Sequence, residues 1–152
     1  MLVREVLKIK GDRLVSASPT MALGEAIGLM VSHDIGSLLV LADAPGSDLV
    51  GILTFREVLK AVHERGAALA ALKVSDVMQA NPVSARPEDT VDQMRTVMTE
   101  QHIRYLPIKE GEQLLGVLSF HDVAKAALKA ASFENKLLKT YIRNWPEPAQ
   151  SA

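Results

Sequence analysis

Between Thr20 and His33 the apolar residues Leu23, Ala26, Ile27, Met30 and Val31 recur at the three- and four-residue spacing of a one-faced helix. Two apolar runs of strand length follow, at 38–42 and 49–53, and Pro45-Gly46 between them predicts a hairpin turn. Val91, Met94, Val97 and Met98 then repeat the helical stripe, and runs at 105–108 and 114–118 repeat the strand pair. Pro107, which has no N–H to donate, predicts an edge or irregular position in the second pair.

The recurrence extends to identity. Val15-Ser16-Ala17-Ser18-Pro19 returns 68 residues later as Val83-Ser84-Ala85-Arg86-Pro87, and the same step carries Leu23 onto Val91, Met30 onto Met98, Ile35 onto Ile103 and Leu38 onto Leu106. The run from Leu49 to Val58 returns 65 residues later as Leu114 to Val123. The three-residue difference falls at the turn containing Ala44-Pro45-Gly46-Ser47-Asp48, where 42–48 is replaced by the shorter Glu110-Gly111-Glu112-Gln113, a turn that tolerates deletion. Each copy reads strand, helix, strand, strand, helix. At about 60 residues neither copy buries enough surface alone, so the two are expected to pack on each other.

The lead-in is duplicated as well, since 2–7 resembles 73–78; 67–72 and 74–78 predict short helical pieces ending before Asn81-Pro82. The expected units are 1–66, 67–131 and a tail, 132–152. In the tail Phe133, Leu137, Leu138, Tyr141 and Ile142 predict an amphipathic helix that Pro146 and Pro148 end, with Gln150-Ser151-Ala152 frayed. Its apolar stripe must cover either the chain's own body or a second subunit.

Composition narrows the function classes. Apolar residues make up 48% and charged residues 23%, as in an ordinary globular protein. Seventeen basic against eighteen acidic side chains leave a formal charge of -1, so no overall positive field gathers nucleic acid or an anionic membrane. Without cysteine there is no disulfide, thiolate catalysis or cysteine-based zinc site. The early charges at Arg4 and Glu5 interrupt any secretory core, and no apolar run approaches the roughly 20 residues of a membrane span. A cytoplasmic protein is expected.

The most informative local feature is the repeated strand-to-helix turn, Gly51-Ile52-Leu53-Thr54-Phe55-Arg56-Glu57 and Gly116-Val117-Leu118-Ser119-Phe120-His121-Asp122. Thr-x-x-Glu and Ser-x-x-Asp are capping-box patterns that satisfy the orphan amides of a new helix. The same geometry offers free amides and a partial positive charge to a phosphate, a hydroxyl beside them, and a carboxylate for a ribose diol. Val15-Ser16 and Ile35-Gly36, or their copies, can sandwich a purine. Capping and ligand binding both stand at this point.

The ordered set Val-Ser-x-x-Pro, helix, Ile35-Gly36-Ser37-Leu38-Leu39-Val40 or Ile103-Arg104-Tyr105-Leu106-Pro107-Ile108, then Gly-apolar-apolar-Thr/Ser-x-x-acid, occurring twice, resembles the cystathionine-β-synthase (CBS) domain in its tandem pair, the Bateman module. It is similar to small bacterial stand-alone members with an extra C-terminal helix, of the kind labelled inosine monophosphate dehydrogenase-related. The resemblance implies an α+β or α/β fold of two pseudo-symmetric βαββα repeats plus a C-terminal amphipathic helix. It also implies a regulatory site for AMP, ADP, ATP or NAD(H) in clefts between the repeats, with no cofactor required. Carried over by position, Asp122 holds a ribose, Ser119 and His121 approach phosphate, and Val83, Ser84 and Ile103 border an adenine. The first-repeat counterparts are Glu57, Thr54, Arg56, Val15, Ser16, Ile35 and Gly36. Glu57 departs from the family's Asp by one methylene. Arg104 precedes its strand where relatives place a phosphate-binding base, though it also reads as a solvated edge arginine. Lys8 and Lys10 either reach a second phosphate or are exposed charges.

No catalytic or metal set emerges. His33, His63, His102 and His121 lack two-ligand helical spacing, and the sequence has no His-Glu-x-x-His, Gly-x-Ser-x-Gly or phosphate-loop stretch. The expectation is therefore no enzyme, a homodimer, and an unidentified downstream protein partner. A ligand-free dimeric interaction scaffold is the alternative.

Overall fold

Repetition in the sequence becomes repetition in space, down to the register of the strands. In the computed structural model residues 1–11, 14–43 and 48–144 are described; the expected Pro45-Gly46 turn and the tail beyond Asn144 lie outside them. The first repeat comprises β1 (Ser16–Ala17), α2 (Leu23–Ser32), β2 (Ser37–Leu41), β3 (Leu49–Thr54) and α3 (Phe55–Arg65), preceded by α1 (Val3–Lys10). A 3-10 turn, Gly66–Ala71, leads to α4 (Val74–Val77) and β4 (Gln79–Ala80). The second repeat continues with α5 (Val91–Glu100), β5 (Tyr105–Glu110), β6 (Gln113–Ser119) and α6 (Phe120–Arg143).

In the first hairpin Ser37 pairs with Thr54 and Val40 with Gly51; in the second Tyr105 pairs with Ser119 and Ile108 with Gly116, and both slip at the next residue. β1 lies parallel to β2 through Ser16 and Ala17, but its counterpart is reduced to the single bridge Ala85 to Ile108. Pro107 accounts for the difference. It stands where the first repeat has Leu39, and a parallel ladder one residue longer needs an N–H that proline lacks. Its carbonyl still accepts from the Ala85 N–H at 2.9 Å.

The lead-in segments cross over. Leu2 bridges to Thr90, while Lys73 bridges to Ala22. Val3 and Val6 of α1 are buried with Ala85, Met94, Leu106, Leu118 and Val123 of the second repeat, whereas Val74 of α4 is buried with Leu23, Leu38 and Leu53 of the first. Each fully buried valine contributes about 1.5–3 kcal/mol, so each repeat depends on a segment outside it. The crossing also explains the signature glycines. A Cβ on Gly51 would lie 2.5 Å from Met78 Sδ and 3.0 Å from the Gln79 carbonyl, and one on Gly116 would lie 3.1 Å from Leu7 Cδ2.

The C-terminal helix is present, but as the second half of α6 rather than a helix of its own. Ala-Lys-Ala-Ala-Leu-Lys-Ala-Ala between Val123 and Ser132 contains only strong helix formers and no breaker. Val123 and Ala126 are buried; from 131 to 144 every residue is exposed.

Candidate functional site: a cleft between the repeats

β6 ends and α6 begins at Ser119, whose extended backbone (φ −88°, ψ 161°) aims its hydroxyl into the first turn. The Asp122 N–H donates to Ser119 Oγ at 3.1 Å and the Ser119 N–H donates to Asp122 Oδ2 at 2.8 Å, which completes the expected capping box. Thr54 begins α3 the same way. Its N–H donates to Glu57 Oε2 at 2.9 Å, its hydroxyl donates to that same oxygen, and it accepts from the Arg56 N–H at 3.2 Å.

The two turns then differ. Lys10, in the last turn of α1, places Nζ 2.7 Å from Asp122 Oδ2 and 2.9 Å from the Val117 carbonyl. In the first repeat the matching edge is covered instead by β4, where Gln79 pairs with Ile52. Val3-Arg-Glu-Val-Leu-Lys-Ile-Lys continues as helix to Lys10, whereas α4, the second lead-in helix, gives way to strand ahead of Pro82. Burial alone would raise the Asp122 pKa; hydrogen bonds from Lys10 and from the Ser119 N–H and hydroxyl outweigh it and hold the carboxyl below its usual value. The Lys10 ammonium and the Ser119 N–H both use Oδ2.

Asp122 and Ser119 border a cleft of about 260 Å³ whose other wall comes from the first repeat, with Val15, Ile35, Gly36 and Ser37 facing Lys10, Tyr105 and Val117. Such a volume lies just under the usual range of small-molecule pockets, about 300–1,000 Å³. A Cβ on Gly36 would collide with the Tyr105 hydroxyl, so glycine there makes room for the ring. Burial raises the Tyr105 pKa, with Asp122 adding to the effect and Arg104 opposing it, so the hydroxyl stays neutral. Apolar side chains, the carboxylates of Asp34 and Asp122, the His33 imidazole, the hydroxyls of Ser37, Tyr105 and Ser119 and the Lys10 ammonium are thus gathered in one place.

Of the residues expected from sequence, Val15, Ile35, Gly36, Ser119 and Asp122 come together here. The copy-by-copy grouping changes: Asp122 faces Val15 and Ile35-Gly36 of the other repeat, while Val83 and Ser84 are exposed elsewhere and Ile103 packs against the second core. Glu57 and Arg56 line a separate groove of about 480 Å³ beside α4, with Lys60, Glu64 and Asp76. Ser16 and His121 are exposed. Arg104 lies 5.6 Å over the Phe55 ring, and Phe55 meets Tyr105 edge-on at 6.4 Å. Bulky side chains thus occupy in the second copy the positions that Gly36 and Ser37 hold in the first. Sequence reasoning read Lys10 as a second phosphate contact or an exposed charge and missed its pairing with Asp122; its only local signal was a cation in the last turn of a helix. Among the described residues no group of three or more His, Asp or Glu could hold a metal ion, and no helix is long and apolar enough to cross a membrane.

Comparison with known proteins agrees with this architecture. The structure of the CBS-domain containing protein ATU1752 from Agrobacterium tumefaciens is 35% identical with a TM-score of 0.78, over 83% of this chain and 92% of that one. The mitochondrial CBS domain-containing protein CBSX3 of Arabidopsis thaliana is 28% identical over 121 residues, 78% of this chain; the chain spans only 59% of that relative's length. The structure of CBSX2 in complex with AMP shares the fold at 23% identity, with a TM-score of 0.71 over 86% of this chain and 98% of that one. The family model for the CBS domain matches twice, at residues 3–64 and 74–129, and the chain belongs to the CBS domain family as a tandem pair.

Proposed function

We propose that this chain is a cytoplasmic regulatory module that binds an adenine nucleotide, AMP, ADP, ATP or NAD(H), in the Asp122 cleft and reports occupancy to a partner protein, without catalysing a reaction. One observation carries the reading: the Asp122 carboxylate and the Ser119 hydroxyl stand at a helix start and face Val15, Ile35 and Gly36 across the repeat boundary. A ribose diol donates to Asp122, a 5′ phosphate meets Ser119 and Lys10 at the positive start of α6, and an adenine lies against the apolar wall. The AMP complex of the structural neighbour CBSX2 supports this choice of ligand. Thr54, Arg56 and Glu57, with Val83, Ser84, Ile103 and Arg104, are read as the second position of the pair, weakened by the longer Glu57 and by Arg104 and Tyr105 beside it.

Mass spectrometry of small molecules released from the purified protein tests the reading, together with a thermal-shift screen of AMP, ADP, ATP, NADH and S-adenosylmethionine. A bound adenylate at about 100 times its dissociation constant stabilises by roughly 2.7 kcal/mol. A second reading, a ligand-free homodimeric scaffold, is favoured by Lys10 already neutralising Asp122. Absence of released nucleotide and of any thermal shift would select it.

A further inference from the structure

Lys10 and Asp122 border a second hollow besides the cleft between the repeats. It is a groove of about 130 Å³ between α1 and α6, lined by the apolar side chains of Val6, Ile9 and Ala126 and by the lysines Lys125 and Lys129. Ile9 is 67% exposed. Lys125 and Lys129 stand one helical turn apart on the same face of α6, and among the described residues neither has an acidic partner. The first repeat holds a neutral version of the same groove. There Arg56, Lys60 and Arg65 face Glu57, Glu64 and Asp76, and Lys60 stands 4.0 Å from Glu64, so the charges balance from within. In the second copy Lys60 recurs as Lys125, but Glu64 becomes Lys129. Lys10, Lys125 and Lys129 are then set against Asp122 alone, a local excess of positive charge on a chain whose formal charge is -1.

We infer that the groove between α1 and α6 docks an acidic, amphipathic segment of a partner protein, one apolar side chain entering between Ile9 and Ala126 while flanking carboxylates meet Lys125 and Lys129. Size and charge together select this occupant. At 130 Å³ the groove is less than half the volume at which small-molecule pockets begin, about 300 Å³, so it takes a single side chain of a peptide rather than a nucleotide or cofactor. Unpaired ammoniums around an apolar slot are complementary to carboxylates around an apolar anchor. A nucleic-acid backbone offers the lysines its phosphates but leaves the apolar lining unused. A lipid surface beds the convex face of a helix, whereas here the apolar atoms lie in a hollow between two helices. The Lys10–Asp122 pair, common to both hollows, ties docking to the nucleotide, a step that rests on the function proposed above. A phosphate that draws Lys10 into the cleft removes one of the three ammoniums from the groove, so nucleotide and partner oppose each other, and by linkage each weakens the other by the same factor.

The probe is the peptide acetyl-Glu-Glu-Leu-Glu-Glu-amide, titrated into the isotopically labelled full chain and followed by amide chemical shifts. Shifts are expected at Ile9, Lys125, Ala126 and Lys129, with affinity about fivefold lower for the same peptide carrying serine in place of leucine. Lys129→Glu gives the groove the charge pattern of the first copy and should weaken the peptide about three- to tenfold, with unchanged far-ultraviolet circular dichroism because the position is exposed. Saturating AMP should weaken the peptide about fivefold, and the peptide should weaken AMP equally. Absence of shifts along the groove, equal affinity for the leucine and serine peptides, or equal affinity of wild type and Lys129→Glu overturns the docking site. Groove shifts on dilution of the chain alone would give the groove to a second copy, and pelleting with phosphatidylglycerol vesicles that Lys129→Glu abolishes would give it to a membrane; either result overturns the inference as well. Peptide and AMP that bind without affecting each other overturn the coupling. A chain that binds the peptide but no AMP keeps the groove and removes the nucleotide reading instead.

Discussion

Asp122→Ala separates a helix cap from a ligand site because its two expected costs differ in kind. The substitution removes the acceptor for the Ser119 N–H, a cap worth about 1 kcal/mol. It also removes the Lys10 pair at 2.7 Å, in which the side chains are 22% and 35% exposed and solvent screening limits the gain to about 0.5–1 kcal/mol. The sum, about 1.5–2 kcal/mol, lowers the melting temperature of a chain this size by about 3–8 °C. With AMP at about 100 times the dissociation constant, the wild type should rise by about 5–11 °C and the variant not at all. Asp122→Asn keeps an oxygen for the cap but loses the charge-assisted bond to the ribose, so it should melt nearer the wild type while binding AMP about 10–100-fold more weakly. The pH dependence has a fixed sign. The folded carboxyl lies below its ordinary 3.8, so its contribution is fully present above that value and disappears as pH falls through the folded one; acid melts of wild type and Asp122→Ala should converge there and diverge at neutral pH. An Asp122→Ala protein that melts lower yet binds AMP with unchanged calorimetric affinity would reduce Asp122 to a cap and refute the site assignment.

Val3→Ala removes two methyl groups from a fully buried position and should cost about 2 kcal/mol. Hydrogen exchange should show the loss in α5, β5 and β6 rather than in α2 to α3, and uniform loss across both repeats would contradict the crossed lead-ins. Gly36→Ala drives a methyl against the Tyr105 hydroxyl; the expected result is about 1–3 kcal/mol of overpacking together with weakened AMP binding. Restoration of stability in Gly36→Ala/Tyr105→Phe would identify that contact as the cause, and no restoration would exclude it. Arg104→Ala should cost about 0.5–1 kcal/mol through the lost contact with Phe55 and leave calorimetric AMP affinity at the Asp122 cleft unchanged. A tenfold loss for AMP with none for adenosine would instead place Arg104 on the phosphate.

The repeat architecture was legible because its signals are local. The 68- and 65-residue steps bring the paired strands into matching register, Ser37 with Thr54 and Tyr105 with Ser119, and the Ser119–Asp122 capping box was readable from two residue types three positions apart. What lay beyond the sequence is the pairing of distant segments. A duplicated chain has the same offsets whether each lead-in packs on its own repeat or on the other, so nothing in residues 2–10 announces that Leu2 meets Thr90, or that Lys10 meets an aspartate 112 residues away. For the same reason position-by-position transfer grouped Asp122 with Val83-Ser84, when the structure groups it with Val15 and Ile35-Gly36. This error has a functional consequence. If a carboxylate, its counter-ion and its apolar wall come from the second repeat, the lead-in and the first repeat respectively, the cleft exists only in the assembled pair. Divergence between the copies then acts on opposite sides of the boundary: Gly36 and Ser37 keep the Asp122 cleft open, while Arg104 and Tyr105, their counterparts, lie against Phe55 beside Thr54 and Glu57. Near-symmetric halves thus present two unlike positions, and a ligand seated at Asp122 would touch three segments that folding alone has brought together, so the proposed nucleotide would act on how the repeats sit on one another.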